Sequence, residues 1–282
     1  MRRPHELPGC RRLSRAVSRG YDPAVKSSLS QKSIVIIGGT AGLGLSAARA
    51  FVEAGARVVV VGRNAESCAA ARAALGEAAS VLSADACDPQ TAPRAIGEAV
   101  RAFGGFHGLY HVAGGSGRRM GDGPLHELTD EGWRATFDLN LTSLMLSNRA
   151  AVRQFLVQGT GGSILNMSSV LGFSPSPEHF ATHAYAAAKA AAIGFSKAIA
   201  AYYAPRDIRV NVLAPALVET PMARRAAADA AIMDFIKTKQ PLDGGRIGNP
   251  ADLDAAAVYF MGDGARFATG QVLAVDGGWS VS

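Results

Sequence analysis

The fold is decided by the stretch Ser33-Ile34-Val35-Ile36-Ile37-Gly38-Gly39-Thr40-Ala41-Gly42-Leu43-Gly44. Its aliphatic run shows no polar alternation, which is typical of a strand buried on both faces, and an Ala-rich helical segment follows the last glycine. Glycines spaced Gly38-x3-Gly42-x-Gly44 let the backbone turn tightly and approach a pyrophosphate at the helix N-terminus. The stretch therefore predicts a dinucleotide-binding strand–turn–helix unit. The alternative is a structural turn in a nucleotide-free α/β domain.

The same order, a short aliphatic run and then an Ala-rich stretch, continues to the C-terminus. Repeated strand–helix units form right-handed crossovers, so the chain is predicted to be one doubly wound, Rossmann-like α/β domain with helices on both faces of a parallel sheet. The predicted strands are Ile34–Ile37, Arg57–Val61, Ser80–Leu82, Gly108–Val112, Ser163–Met167, Arg209–Leu213 and Val272–Val275. The predicted helices lie near 43–54, 65–77, 90–103, 131–157, 183–203 and 251–262.

Composition excludes several classes of protein. Of 282 residues, 48% are hydrophobic and 18% charged, which is ordinary for a globular core and too apolar for a disordered chain. The longest aliphatic runs have four residues, far short of the ~20 that a membrane span needs. The three scattered cysteines form neither a disulfide framework nor a metal-ligand spacing, so no metal site is predicted. A reducing, cytoplasmic location is expected.

The positive charge of the chain is confined to its N-terminus. Residues 1–32 hold eight of the 29 Lys and Arg and two of the 23 Asp and Glu, so 33–282 carries 21 of each sign. A neutral domain argues against a nucleic-acid partner. Residues 1–30 are predicted to be a flexible basic leader, and 31–282 a single catalytic domain. The leader is interpreted as inert, with targeting or an arm for an anionic partner as alternatives.

Two side chains near the ends of the second and third strands bear on cofactor choice. An acid at the end of the second strand would bind the 2′-hydroxyl of NAD, but this chain has Gly62-Arg63 there. The Arg63 guanidinium suits a 2′-phosphate and favours NADP(H), with a solvated arginine and NAD(H) as the alternatives. Asp85, after the third strand, is expected to contact the adenine amino group or else to cap the next turn.

An acid–base pair occurs in the fifth predicted helix. Tyr185 and Lys189 are four residues apart and share one helix face. A neighbouring cation favours phenolate, so Lys189 is expected to lower the pKa of Tyr185 and make it an acid or base near neutrality. Upstream, Ser168 and Ser169 follow the fifth strand, where a hydroxyl would face the ligand crevice.

These motifs together resemble the short-chain dehydrogenase/reductase family over essentially all of 33–282. They are the Gly38/Gly42/Gly44 turn, Asp85, Ala113-Gly114, Asn140, Ser169, Tyr185/Lys189, Asn211 through Pro215 and Gly270 through Gly278. The resemblance implies a seven-stranded sheet and a Ser–Tyr–Lys–Asn tetrad. It also implies a homo-oligomer, commonly a tetramer.

The resemblance also implies a role for each site residue. Tyr185 would exchange the proton, Ser169 would polarise the substrate oxygen, Lys189 would bind the nicotinamide ribose, and Asn140 would hold a relay water. The cofactor-binding residues it implies are Gly38, Thr40, Gly42, Leu43, Gly44, Arg63, Asp85, Ala113, Gly114, Tyr185, Lys189, Pro215, Val218 and Thr220. The reaction expected is hydride transfer between NADP(H) and a ketone or secondary alcohol, a small-molecule substrate that the sequence does not identify. A dinucleotide-binding sensor is the alternative from another class.

Some features depart from the family pattern or remain open. His111 stands where the family has an asparagine, so the side-chain amide that ties neighbouring strands together is expected to be lost. Arg118 and Arg119 are interpreted as solvated loop residues, with contact to an anionic substrate as the alternative. Residues 219–245 are predicted to be a helical lid with Met222, Ile232, Met233, Phe235 and Ile236 on its apolar face, or else ordinary core.

Overall fold

Seven parallel strands form one sheet in the order β3-β2-β1-β4-β5-β6-β7 in the computed structural model, which describes residues 28–282. The strands are β1 Ser33–Ile37, β2 Arg57–Gly62, β3 Ala79–Ser83, β4 Gly108–His111, β5 Gly162–Met167, β6 Ile208–Pro215 and β7 Val272–Val275. Every neighbouring pair is parallel, for example Ile37 with Val61 on one side and with His111 on the other. The predicted doubly wound, seven-stranded α/β fold is confirmed.

Helices cover both faces of the sheet. They are α1 Gly42–Glu53, α2 Ala65–Leu75, α3 Thr91–Phe103, α4 Asp130–Phe137, α5 Ser143–Gln158, α6 His183–Tyr203, α7 Arg224–Ala227, α8 Ala230–Lys239 and α9 Asp254–Met261. Alternate residues of β1 point to opposite sides, so Ile34 and Ile36 pack with α1 and α9. Val35 and Ile37 pack with α3 and α5 on the other face. Both sides of the central strands are thus buried, as their unbroken aliphatic runs predict.

The strand order places a crevice at one edge of the sheet. The chain moves outward from β1 to β2 and β3 on one side and to β4 through β7 on the other. In such sheets ligands bind beyond the carboxyl ends of the strands at the point where the order reverses, here between β1 and β4. The glycine-rich turn after β1 and the loop after β4 meet at this point.

Two details of the predicted organisation differ from the structure. Residues 1–27 of the predicted leader lie outside the described residues, but Leu29 is fully buried in the core and donates its N–H to the Ala54 carbonyl at 3.0 Å. Residues 28–30 are therefore part of the domain, since Leu29 fills an apolar gap beside α1. Among residues 28–282, no helix is both long and apolar enough to cross a membrane.

The helix predicted over 131–157 is interrupted. A π-helical turn, Asp138–Thr142, separates α4 from α5 and contains the fully buried Asn140. π-turns inside α-helices often occur at functional sites because they redirect side chains. Here the turn points Asn140 at the loop after β4.

Candidate active site

The turn between β1 and α1 is built for close backbone approach. Gly38 has φ +89° and packs on Ala113, so that a Cβ there would lie 2.6 Å from the Ala113 nitrogen. A Cβ at Gly44 would overlap the Gly38 carbonyl oxygen. Ala41, the N-cap residue, provides no side-chain hydrogen bond to the first N–H groups of α1. The turn therefore presents helix N–H groups and a bare backbone, which fits the pyrophosphate of a dinucleotide.

The end of β2 borders the same crevice. Gly62 packs against the buried Thr40, whose hydroxyl lies 3.2 Å from the Ser67 hydroxyl. Arg63 is 64% exposed, and its Nη1 lies 3.6 Å from Oδ2 of Asp85. Oδ1 of Asp85 accepts from the Cys87 N–H at 2.9 Å, so the turn-capping alternative for Asp85 is present. Contact of Asp85 with adenine stays a prediction.

The catalytic candidates converge at the ends of β5 and α6. Ser169 lies two residues beyond the end of β5 at Met167, and its hydroxyl lies near enough to the Tyr185 phenol to affect the phenol pKa. Lys189 Nζ lies 5.5 Å from the centre of the Tyr185 ring and donates to the Met167 carbonyl at 3.1 Å. One face of α6 and the end of one strand thus bring the three side chains together, as i, i+4 spacing on a helix requires.

The electrostatics of this cluster differ from the expectation. Burial raises the pKa of Tyr185 to about 12, and the nearby Ser169 hydroxyl only partly opposes this shift. Burial likewise lowers the pKa of Lys189 to about 8. The expected lowering of the Tyr185 pKa by Lys189 is therefore not found, because removal from water disfavours the charged form of both groups. At neutral pH the phenol is protonated and placed to donate.

The two adjacent serines have different surroundings. The Ser168 hydroxyl is buried and donates to the Lys189 carbonyl at 2.8 Å, so it is bound to the backbone of α6. The Ser169 hydroxyl accepts from the Leu171 N–H at 3.2 Å and faces Tyr185. Only Ser169 is placed to touch a substrate oxygen that also touches the phenol.

Asn140 organises the loop after β4. Its Oδ1 accepts from the Gly115 N–H at 3.0 Å, and its Nδ2 donates to the carbonyls of Gly115 and Thr136, both at 2.9 Å. A Cβ on Gly114 would lie 2.7 Å from this Oδ1 and 3.1 Å from Lys189 Nζ. Asn140 therefore holds the loop against Lys189, and its role as a water holder stays a prediction.

At His111 we expected the loss of a side-chain amide that connects neighbouring strands. The imidazole is fully buried, with Nδ1 2.8 Å from the Ser147 hydroxyl and Nε2 3.4 Å from the Ser143 hydroxyl. Burial, with Lys189 nearby, lowers the pKa of His111 to about 3, so the ring is neutral. The residue ties β4 to α5 through two hydroxyl groups in place of an amide.

The segment after β6 closes the cofactor side. Pro215 ends β6, Val218 is buried and pairs with Gly248, and Thr220 lies against Gly42 of the glycine-rich turn. This contact puts Thr220 on the pyrophosphate side of the crevice. The Pro215, Val218 and Thr220 backbone thus forms a wall opposite the turn.

Helix α8 packs through aromatic contacts against the segment that precedes α6. The Phe235 ring centre lies 5.0 Å from that of His179 and 5.8 Å from that of Trp279. Ile232 and Ile236 are buried with them, whereas Met222 is 54% exposed and does not share this face. The helical segment is present as α7 and α8, and its apolar residues Ile232, Phe235 and Ile236 belong to a packed cluster, as the core alternative predicts; its function as a lid stays a prediction.

The sequence did not single out Asp122. This residue lies in the loop after β4, is 6% exposed, and its Oδ1 and Oδ2 accept from the N–H groups of Ala184 and Tyr185 at 3.0 and 2.9 Å. The contact spans 62 residues, so no local spacing indicates it. Arg118, interpreted as solvated, donates to the His179 carbonyl at 3.1 Å.

Comparison with known proteins agrees with this geometry. Residues 38–280 match a family model described as enoyl-(acyl carrier protein) reductase. The chain is 34% identical to a 2,5-dichloro-2,5-cyclohexadiene-1,4-diol dehydrogenase of Sphingobium indicum, covering 90% of this chain and 99% of that protein.

Solved structures show the same likeness. A short-chain type dehydrogenase/reductase from Mycobacterium ulcerans superposes with a TM-score of 0.82 at 31% identity, covering 90% of this chain and 91% of that one. A 3-ketoacyl-(acyl-carrier-protein) reductase from Brucella melitensis, solved in complex with NADH, has a TM-score of 0.79 at 28% identity, with 90% and 100% covered. The resemblance read from the sequence motifs is confirmed: the chain belongs to the short-chain dehydrogenase/reductase family of oxidoreductases.

Proposed function

We propose that this protein is an NADP(H)-dependent carbonyl reductase or alcohol dehydrogenase acting on a ketone or secondary alcohol. The observation that carries the proposal is the convergence of Ser169, Tyr185 and Lys189 beside a glycine-rich turn that fits a pyrophosphate. A bound nicotinamide would supply or accept the hydride. The solved relative in complex with NADH supports a nicotinamide dinucleotide in this crevice.

Each side chain of the cluster has a distinct task in this proposal. Tyr185 Oη, protonated at neutral pH, donates its proton to the carbonyl oxygen in reduction and takes it back in oxidation. Ser169 hydrogen-bonds the same oxygen and orients it. Among residues 28–282, Lys189 donates a hydrogen bond only to the Met167 carbonyl. Its remaining N–H groups can therefore bind the nicotinamide ribose.

The proposal that NADP(H) is preferred is supported by Arg63. The guanidinium stands at the end of β2 with most of its surface exposed, and the 3.6 Å separation from Asp85 is too long for a good hydrogen bond. A 2′-phosphate would offer it a stronger, bidentate partner. The Asp85 carboxylate beside it supports the alternative, NAD(H), since it already neutralises part of the Arg63 charge.

Replacement of Tyr185 by Phe tests the mechanism. Removing the hydroxyl deletes the proton donor, so turnover should fall by roughly 10²–10⁴-fold, the usual contribution of a general acid. The NADPH dissociation constant, followed by nicotinamide fluorescence, should change little. The matched control is Tyr202→Phe on the same helix, where the side chain is 76% exposed. Turnover of the Tyr185→Phe variant at the wild-type rate would contradict the proposal.

Replacement of Arg63 by Ala tests the cofactor preference. We expect the NADPH dissociation constant to rise by at least about tenfold, which corresponds to about 1.4 kcal/mol, while that for NADH changes little. Arg101→Ala is the control, because Arg101 is 74% exposed on α3 and, within residues 28–282, forms its ion pair with Glu98 alone. Equal losses for both cofactors would remove the 2′-phosphate role and favour NAD(H).

The remaining expectations stay predictions. Homo-oligomer formation can be measured by light scattering of the purified protein. A panel of cyclic ketones, steroids and acyl thioesters would narrow the substrate, since the fold itself accommodates many.

A further inference from the structure

The helix that carries Tyr185 begins without a local cap. Thr182, at the N-cap position of α6, makes no side-chain hydrogen bond to the first turn. The first N–H groups of any helix lack internal partners, and a helix start normally recruits a nearby Ser, Thr, Asp or Asn. In this chain the partners come from the loop after β4.

Residues 122 and 123 satisfy three consecutive donors of this helix. Gly123 accepts from the His183 N–H at 3.3 Å, and the two carboxylate oxygens of Asp122 accept from Ala184 and Tyr185 at 3.0 and 2.9 Å. The third bond is to the backbone of Tyr185 itself. The placement of the Tyr185 phenol beside Ser169 therefore depends on Asp122, a residue from a different element.

Within residues 28–282, the Asp122 carboxylate makes no side-chain hydrogen bond other than those to the start of α6. Asp122 is buried, with 6% of its surface exposed, yet among residues 28–282 it forms no ion pair within 4.0 Å. Burial of an unpaired carboxylate is costly unless hydrogen bonds and a favourable field compensate it. The N–H groups and the positive end of the 21-residue helix provide both.

The loop that carries Asp122 is itself fixed in place. The Asp122 N–H donates to the Gly117 carbonyl at 3.0 Å, and Gly117 packs closely on the buried Thr136. Arg118 binds the His179 carbonyl in the segment between Ser169 and Tyr185. The loop after β4 is thus attached both to the start of α6 and to the chain that leads into it.

We propose that Asp122 is a positioning residue for the reaction: by capping α6 from the loop after β4, it fixes the Tyr185 phenol beside Ser169. The proposal rests on the proposed role of Tyr185 as the proton donor. Asp122 does not touch the reacting atoms.

The test compares Asp122→Asn, Asp122→Ala and wild type. Asn keeps one oxygen acceptor, so it should lose less than Ala. We expect kcat to fall by roughly tenfold for Asn and about 100-fold for Ala, the loss that a displacement of about 1 Å causes for a reacting group. The KM for NADPH should change less than twofold, and the isotope effect from a deuterated nicotinamide should grow. Amide exchange at the start of α6 should become faster.

A matched variant separates positioning from simple stability. Asn249 caps the turn Pro250–Leu253 by accepting from the Ala251 N–H at 3.0 Å, and within residues 28–282 none of its side-chain hydrogen bonds goes to a site residue. Asn249→Ala should lower the melting temperature by about as much as Asp122→Ala does and leave kcat unchanged. Retention of kcat within twofold of wild type in Asp122→Ala would overturn the inference. If Tyr185→Phe is inactive while Asp122→Ala stays active, the proposed function stands and only the inference fails.

Discussion

The two halves of the crevice are built in different ways. The cofactor half depends on one short stretch, Gly38–Gly44, in which bare backbone lies against backbone. The catalytic half depends on Ser169, Tyr185 and Asp122, which come from three separate segments and meet only in the folded chain. The first half therefore tolerates no added atom, whereas the second tolerates no displacement of its elements.

The largest loss of cofactor binding is expected from Gly44→Ala, in the cofactor half. The new Cβ would overlap the Gly38 carbonyl oxygen and lie 3.0 Å from the Gly39 Cα, and backbone atoms cannot move aside cheaply. The turn must open, so NADPH binding should weaken by roughly 100-fold or more, or by about 2.7 kcal/mol. Fluorescence titration measures the dissociation constant.

Gly97→Ala is the control for this substitution. Gly97 lies inside α3, and a Cβ there would meet nothing within 4 Å. Alanine is the better helix former, so this variant should gain about 0.5–1 kcal/mol of stability and bind NADPH normally. A Gly44→Ala protein that binds NADPH like wild type would show that the turn does not cradle the pyrophosphate.

The two serines test the catalytic half. Ser169→Ala removes the hydroxyl that faces Tyr185, so kcat should fall by roughly 10²–10³-fold, as for loss of a donor to a reacting oxygen. Ser168→Ala removes a hydrogen bond to the Lys189 carbonyl and should cost about 1–2 kcal/mol of stability with kcat largely kept. Steady-state kinetics and thermal melts of both variants suffice. The opposite pattern would exchange the roles of the two residues.

Sequence predicted the local parts of this comparison well. The seven strands lie within a few residues of their predicted bounds, because strands buried on both faces read as continuous aliphatic runs. The glycine turn and the pair Tyr185 and Lys189 were also readable, since spacing alone decides both. The Asp122 cap, the π-turn at Asn140 and the burial of Leu29 were not readable, because each depends on contacts between distant segments. The raised Tyr185 pKa was missed for the same reason: burial is a property of the fold.

The pH dependence of turnover should show whether burial or the charge of Lys189 governs the pKa of Tyr185. With a pKa of about 12, the phenol stays protonated through neutral pH, so ketone reduction at saturating cofactor should be flat from pH 6 to 7, below the Lys189 pKa of about 8. Oxidation needs the phenolate, whose fraction rises about tenfold per pH unit below the pKa, so its rate should climb from pH 6 to 9. An oxidation rate that levels off near pH 8 would mean that the working enzyme lowers the tyrosine pKa, as the family resemblance implied.

His111 is expected to have the smallest effect on turnover, because its role concerns stability. Its folded-state pKa of about 3 is below the ordinary value of about 6.5, so the unfolded chain binds the proton more readily. Stability from the neutral ring is complete above pH 6.5 and is lost as pH falls towards 3, by up to about 1.4 kcal/mol per pH unit.

Thermal melts from pH 7 to 4 of wild type and His111→Asn measure this loss. Asn cannot take up a proton, and its amide can bond to the Ser147 hydroxyl in place of the imidazole, so the variant should lose less stability with acid than wild type does. Parallel curves for the two proteins would mean that other groups govern the acid response. His111 ends β4, directly before the loop that carries Asp122. If the stability of His111→Asn falls with acid in parallel with that of wild type while its kcat is lower, this strand end belongs to the catalytic half.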